Sequence, residues 1–299
     1  MTGTPYDIGE FSAGNNPLIA PEVVETGIQL QYKKSMIGRN LLGYKKIEKS
    51  VVSTVKEEDY KGDVRWLSEN GGLPKMDFAF VKGTRTVQPY GVKFDVTREQ
   101  QDDGLEDEIR QMIKNAGYAM SYFEDLRIFY QIINATGLNT IEATNPWDVA
   151  TGDTVGDPVK DMGRMRKAIS QATKGQKPDT FICSETLFGY MTQYDAIKSR
   201  LYNTQGKEGY VVTAELPTFM GMQVVIDDAI DPSDEGQALA FKKKDIGTWE
   251  ERYAIETHSV PGYMVEKEQI AFIYSALAKG DANIKFPKLG CLITDLYTA

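Results

Sequence analysis

Residues 92–134 read VKFDVTREQQDDGLEDEIRQMIKNAGYAMSYFEDLRIFYQIIN, and the change of period inside this stretch decides the fold. Val92, Phe94 and Val96 alternate with Lys93, Asp95 and Thr97, the two-residue period of a strand. Beyond them Leu105, Ile109, Met112, Ala116, Ala119, Phe123, Leu126, Tyr130 and Ile133 recur at a spacing of three and four. That is one apolar stripe along a helix reaching about Asn134. Thr97 with Gln100, or Asp103 with Glu106, would form its capping box, and Gly137 marks its stop. At 1.5 Å per residue, roughly 30 residues make a helix on the order of 45 Å long. Such a helix is a spine, and the rest of the chain is read outward from it.

Towards the N-terminus, Ile47–Tyr90 has strand character. Val51, Ser53 and Val55 alternate with Val52, Thr54 and Lys56, and Phe78–Lys82 continues through Thr84 and Thr86. Between them lies a turn-rich stretch with Gly62, Trp66, Asn70-Gly71-Gly72 and Pro74. This predicts a long two-stranded arm, and an isolated hairpin is marginal in water. It packs either on its own domain or on a neighbouring molecule. Pro21 to about Ile37 predicts a short helix with Val23, Val24, Ile28 and Leu30 as its stripe, and residues 1–20 an irregular segment rich in Gly, Asn and Pro.

Towards the C-terminus, Asn139–Gly156 reads as loop. A helix starts at Asp157, with Pro158 as its first residue, and stops at Gly175. Thr180–Cys183 reads as a buried strand, Ser184 as the cap of a further short helix, and Gln223–Ile226 as another buried strand. Ala238–Phe241 is a short strand, and Trp249–His258 and Tyr263–Leu277 are long ones. Helices set apart from strands in antiparallel runs predict an α+β fold. No internal repeat occurs.

The 299 residues carry 41% hydrophobic and 26% charged side chains, an ordinary globular balance that supports a sizeable core. The longest apolar stretch, Ile270–Ala278, is too short to span a bilayer, and Met1–Ala20 lacks a secretory pattern, so a soluble protein made in a cytoplasm and free of membrane is expected. A net charge of −9 argues against gripping nucleic acid over a broad surface. Lys33-Lys34, Lys45-Lys46 and Lys242-Lys243-Lys244 read as solvated faces or turns. Cys183 and Cys291, both in apolar segments, read as buried reduced thiols.

No constellation for catalysis is found. A nucleophilic triad would have to use His258, the only histidine, in a strand-like run. There is no phosphate-binding loop and no dinucleotide fingerprint. Asp102-Asp103, Asp227-Asp228 and Glu250-Glu251 read as caps, turn residues or solvated faces, since a general acid and base seldom come from adjacent positions. No catalytic residue, cofactor or metal is therefore assigned.

Three segments in register carry a resemblance. Val96-Thr97-Arg98-Glu99 leads into the long helix. Lys177-Pro178-Asp179 leads into Thr180–Cys183 and then Ser184–Leu187. Leu216–Val224 forms a turn and strand before the acidic Asp227-Asp228. Together, over about residues 21–295, they resemble the major capsid protein of tailed bacteriophages and related archaeal viruses, a fold that encapsulin shells also use. The resemblance implies an N-terminal arm with a short helix at 1–44 and an extended β-hairpin loop at 45–92. It implies a peripheral domain with the spine helix at 93–150 and 247–280, and an axial domain at 151–246. Residues 281–299 form a C-terminal segment assigned to neither domain.

The implied function is a structural subunit, not an enzyme, that self-assembles into an icosahedral capsid around double-stranded DNA. Its implied partners are itself, in pentamers and hexamers, with scaffold, portal and decoration proteins, and packaged DNA faced non-specifically. No long charged segment precedes Pro21, which implies a separate scaffold or none. The hairpin would lie on an adjacent copy, with Trp66, Leu67, Phe78 and Phe80 as inter-subunit contacts, because aromatic anchors dominate interfaces. Two alternatives stand beside this reading: an encapsulin-like nanocompartment shell around a cargo enzyme, and a carboxylate-based hydrolase.

Overall fold

Pro21 opens the first helix, α1 (Pro21–Ser35), where a missing N–H costs nothing. Its buried stripe is Val24, Ile28 and Tyr32, one side chain per i+4 step. Leu30, expected in the stripe, is 46% exposed. The computed structural model describes residues 21–61, 77–97, 106–148, 156–194, 197, 219–233, 236–261, 264–265 and 268–297. Both capping-box candidates of the long helix involve positions 98–105 and lie outside the described residues. The chain divides into two compact units, one of residues 1–36, 88–124 and 252–280, the other of residues 37–87, 125–251 and 281–299.

The first unit holds α1, the strand β4 (Pro89–Thr97) and the first part of the long helix α3 (Glu106–Ile133). It also holds the outer lengths of β9 (Gly247–Pro261) and β11 (Glu268–Ile284), and β10 (Met264–Val265). β4 pairs antiparallel with β11, from Thr97 opposite Ile270 to Pro89 opposite Lys279, with a bulge at Ile270/Phe272. Val24, Ile28, Val96, Ile109, Ile113, Met120, Ile255 and Tyr274 form the core. Phe94 stacks on Tyr274 at 5.4 Å. α1 and α3 approach closely because both carry glycine at the crossing. A Cβ at Gly27 would lie 2.7 Å from Ile113 Cγ2, and one at Gly117 would lie 2.8 Å from Gln31 Cβ.

The stripe of α3 differs from the expected one. Phe123 is 44% and Tyr130 68% exposed, whereas Ile109, Ile113, Ala116, Met120, Ile128 and Ile132 are buried. Two acids complete the buried face. Glu124 accepts the Tyr32 hydroxyl, and Asp125 accepts the N–H groups of Ile37 at 3.2 Å and Gly38 at 2.6 Å, at the start of α2 (Gly38–Leu41). Buried carboxylates satisfied by hydrogen bonds are tolerated, but they interrupt the apolar pattern from which a stripe is read.

The second unit is built on a mixed sheet in the order β5-β12-β8-β6-β7, of β5 (Asn139–Glu142), β12 (Gly290–Thr294), β8 (Ala238–Phe241), β6 (Thr180–Cys183) and β7 (Gln223–Ile226). Its central strands are buried on both faces. Phe181, Cys183, Ala238, Ala240, Cys291 and Ile293 pack with Met162, Met165 and Ile169 of α4 (Pro158–Ala172) and Leu187 and Met191 of α5 (Glu185–Gln193). Ile182, Leu239, Phe241 and Leu292 pack with Ile128, Phe129, Ile132 and Trp249. This is why β6 and β8 read as unbroken apolar runs.

The helix starts follow the sequence. Asp157 caps α4 by accepting from Lys160 N at 3.0 Å, and Ser184 caps α5 by accepting from Leu187 N at 3.4 Å. Three expectations change. Asn139–Glu142, read as loop, is a strand parallel to β12. Gln223–Ile226, read as buried, is half-exposed, because it is the edge strand, parallel to β6. The strands are not all antiparallel, since β1 (Gly43–Lys46) also runs parallel to β9. β2 (Val51–Lys61) and β3 (Asp77–Thr86) form a separate two-stranded antiparallel sheet, with Val51 opposite Thr86 and Lys61 opposite Asp77.

Candidate functional site

Among the described residues, β2 and β3 pair only with each other, so the point where the hairpin joins the rest of its unit is decisive. Val87 is fully buried there, and its N–H donates to the Ser50 carbonyl at 2.8 Å, closing the root. Two positions earlier Arg85 reaches inward. Its Nη2 donates to Glu250 Oε2 at 2.8 Å, and its Nη1 lies 3.1 Å from Asp281 Oδ2 and also donates to the Ala282 carbonyl.

The acids that receive Arg85 are 2% and 3% exposed, and each is held by further donors. Arg127 Nε donates to Asp281 Oδ1 at 2.9 Å, Gln131 Nε2 donates to the same oxygen at 2.6 Å, and Asn283 Nδ2 donates to Glu250 Oε1 at 3.0 Å. The hairpin is thereby fastened to β9 and β11 by a charged network that excludes most water. Breaking one arm of such a network strands a buried charge.

Glu250 and Glu251 are neighbours on β9, so strand alternation sends their side chains to opposite faces. Glu250 meets Arg85. Glu251 meets Arg39 and accepts the Tyr44 hydroxyl at 2.6 Å, while the Arg39 guanidinium lies 5.2 Å from the centroid of the Trp249 ring. The hydrogen bond to Glu251, followed by burial, pushes the Tyr44 phenol above its ordinary value of 10.0. These glutamates are not the solvated face that the sequence suggested; the signal was two acids inside a strand pattern, which can be buried only if cations meet them.

Of the four expected contact residues, Trp66 and Leu67 lie outside the described residues. Phe78 and Phe80 stand on β3, opposite Tyr60 and Glu57. His258 is exposed on β9. Among the described residues no group of three or more His, Cys, Asp or Glu could hold a metal ion, and no helix is long and apolar enough to cross a membrane. Cys183 and Cys291 are buried free thiols. The arrangement at the root is a fastening: acids and guanidiniums are paired with each other and present no nucleophile beside a base.

This two-unit α+β chain, with a long helix and a hairpin fastened at its root, has the fold of viral capsid proteins. The solved capsid of the cyanophage P-SCSP1u is 12% identical, with 99% of this chain and 96% of that one covered and a TM-score of 0.60. The virus-like particle from Pyrococcus furiosus is 13% identical, with 91% and 98% covered and a TM-score of 0.60. The capsid of a native GTA particle is 13% identical, with 100% and 95% covered and a TM-score of 0.59. These likenesses establish the fold. The family model described as phage capsid protein matches residues 82–273, and the chain belongs to that family. It is a structural capsid subunit, and its place is the shell of the virion. No curated protein is similar enough to match the sequence. The family match favours neither the nanocompartment nor the hydrolase reading.

Proposed function

We propose that this chain closes an icosahedral shell around double-stranded DNA by associating with itself into pentamers and hexamers in the host cytoplasm. In this reading residues 1–44 are an arm reaching along a neighbour, and residues 45–92 an extended loop resting on the adjacent subunit. Residues 93–150 with 247–280 form a peripheral domain, and residues 151–246 an axial domain around the symmetry axes. Scaffold, portal and decoration proteins are its further partners. Packaged DNA is faced without sequence readout, in keeping with the net charge of −9.

One observation carries the reading: the hairpin is a two-stranded sheet held by an ionic fastening at its root. Such a ribbon gains little by itself, and its open backbone edges are satisfied by pairing or covering from another chain. Trp66, Leu67, Phe78 and Phe80 are its anchors there. Deleting residues 58–76 is expected to leave a soluble subunit that forms no shells by electron microscopy. Closed particles from the deletion variant would overturn the assignment of this hairpin to the neighbouring subunit.

A further inference from the structure

We propose that the two ends of the five-stranded sheet, one basic and one acidic, are complementary halves of a head-to-tail contact between copies of this chain; this rests on the self-association proposed above. The strand register places the charges. Thr180, which begins β6, stands opposite Phe241, which ends β8, and Phe241 also stands opposite Gly290, which begins β12. Lys177 before β6, Lys242, Lys243 and Lys244 after β8, and Lys285 and Lys288 before β12 therefore gather at one end of the sheet.

At the other end Cys183 of β6 stands beside Ile226 of β7, and Thr294 of β12 beside Glu142 of β5. Glu185, Asp228, Asp295 and Glu142 gather there. Four-residue strands at about 3.3 Å per residue separate the two groups by about 13 Å.

Among the described residues two acids, Asp179 and Asp245, stand with the six lysines of the basic end. Asp245 pairs with Lys242 at 2.7 Å, and Asp179 is occupied by the backbone N–H of Lys243 at 2.7 Å. Among the described residues Lys177, Lys243, Lys244 and Lys285 have no ion pair. A cluster of lysines in a chain of net charge −9 is a local inversion of sign. Its complement stands on the same strands. A ring formed by rotation needs two different patches on each copy, one for each neighbour, and opposite charges set their register. A duplex phosphate backbone would also attract the lysines, but the acidic end a short way off opposes a long polyanion and complements a second copy.

The test compares shells formed by four full-length chains, each expressed and examined by electron microscopy and light scattering. K177E/K243E and E142K/E185K replace side chains with no hydrogen bond or ion pair among the described residues, and each is expected to lower particle yield at least tenfold. The chain with all four changes restores opposite signs across the contact and is expected to recover yield to within about threefold of the original. Equal yield from either double variant, or no recovery in the fourfold variant with an intact circular dichroism spectrum, overturns the charge pairing. Should the fourfold variant fail to fold, mixing the two double variants decides: because the two chains can only alternate, assemblies of even number that contain both, read by electron microscopy and light scattering, support the pairing, and none overturn it. Loss of duplex DNA binding in K177E/K243E with unchanged shell yield overturns it too and assigns the basic end to nucleic acid. Absence of particles from the original chain sinks the self-association reading itself, an outcome distinct from the others.

Discussion

The five-stranded sheet and the two-stranded hairpin belong to the same compact unit, yet they are held in opposite ways. In the sheet, Phe181, Ile182, Leu239 and Phe241 are fully buried, and alternate residues face two separate apolar layers. In the hairpin, Val51 is 57% exposed near the root, and the strands are secured by Val87 and by Arg85 reaching into buried acids. Apolar burial is non-directional and tolerates small shifts, whereas an ionic fastening fixes an angle and fails when one partner is lost. The difference teaches which part of this chain is closed by its own apolar core and which is joined by a few polar contacts at one end. The sheet finishes its core internally, and among the described residues the hairpin is held at its root.

The comparison breaks first on the sheet side. Phe241→Ala removes a ring buried against Trp249, Ile182 and Leu292 and is expected to cost about 3–5 kcal/mol by denaturant unfolding. Next comes Arg85→Ala, which among the described residues leaves Glu250 with Asn283, and Asp281 with Arg127, Gln131 and the Ala282 N–H. The expected cost is about 3 kcal/mol, the range for breaking a buried pair. Arg127→Ala is expected to cost less, since Arg85 still holds Asp281. A double-mutant cycle between Arg85 and Arg127 is expected to show coupling above about 0.5 kcal/mol, because they share that carboxylate. Additive costs would mean that the root is not one network.

What the sequence made legible follows from how local each signal is. The starts of α4 and α5 were readable because Asp157-Pro158 and Ser184 cap by geometry within three residues. β6 and β8 were readable because burial on both faces leaves continuous apolar runs. The face of α3 was not. Glu124 and Asp125 occupy buried positions through partners about ninety residues away, Tyr32 and Gly38, so the period pointed to Phe123 and Tyr130 instead. Glu250 and Glu251 were misread for the same reason: their arginines come from distant segments. β5 was hidden because it is half-exposed and is a strand only by virtue of pairing with β12. The hairpin was legible as two strands, but a sequence carries no mark of the molecule on which a strand rests.

A smaller effect separates the rigid sheet from the loops at its acidic end. Asp227 follows β7 and accepts from Ala229 N at 3.0 Å, and burial pushes its carboxyl up to about 6 from an ordinary 3.8. The fold therefore favours the neutral form. Between those two values the folded chain binds more protons than the unfolded one, so this group lowers stability as pH rises from about 4 to 6 and holds it lower above that. Asp227→Asn keeps the accepting oxygen and removes the charge. It is expected to melt with the original chain below pH 4 and to melt higher above pH 6, by on the order of 5 °C. A melting temperature lowered by the substitution at pH 8 would contradict the assignment.

The smallest effect leaves stability alone and reads the seal of the sheet directly. Cys183 on β6 and Cys291 on β12 are buried in the layer formed with α4 and α5, and burial pushes both thiols up to about 12. The thiolate is the reactive form, so neither side chain has the access or the ionisation to attack a disulfide reagent at pH 8. Incubation with a chromogenic aromatic disulfide is expected to release no thiolate from the folded chain over an hour and two equivalents in denaturant, one for each of the 2 cysteines. Because such labelling proceeds through transient opening, its rate measures how often this layer parts from its helices. Rapid native labelling of either thiol would mean that this layer opens readily, and the contrast with the hairpin would then be one of degree.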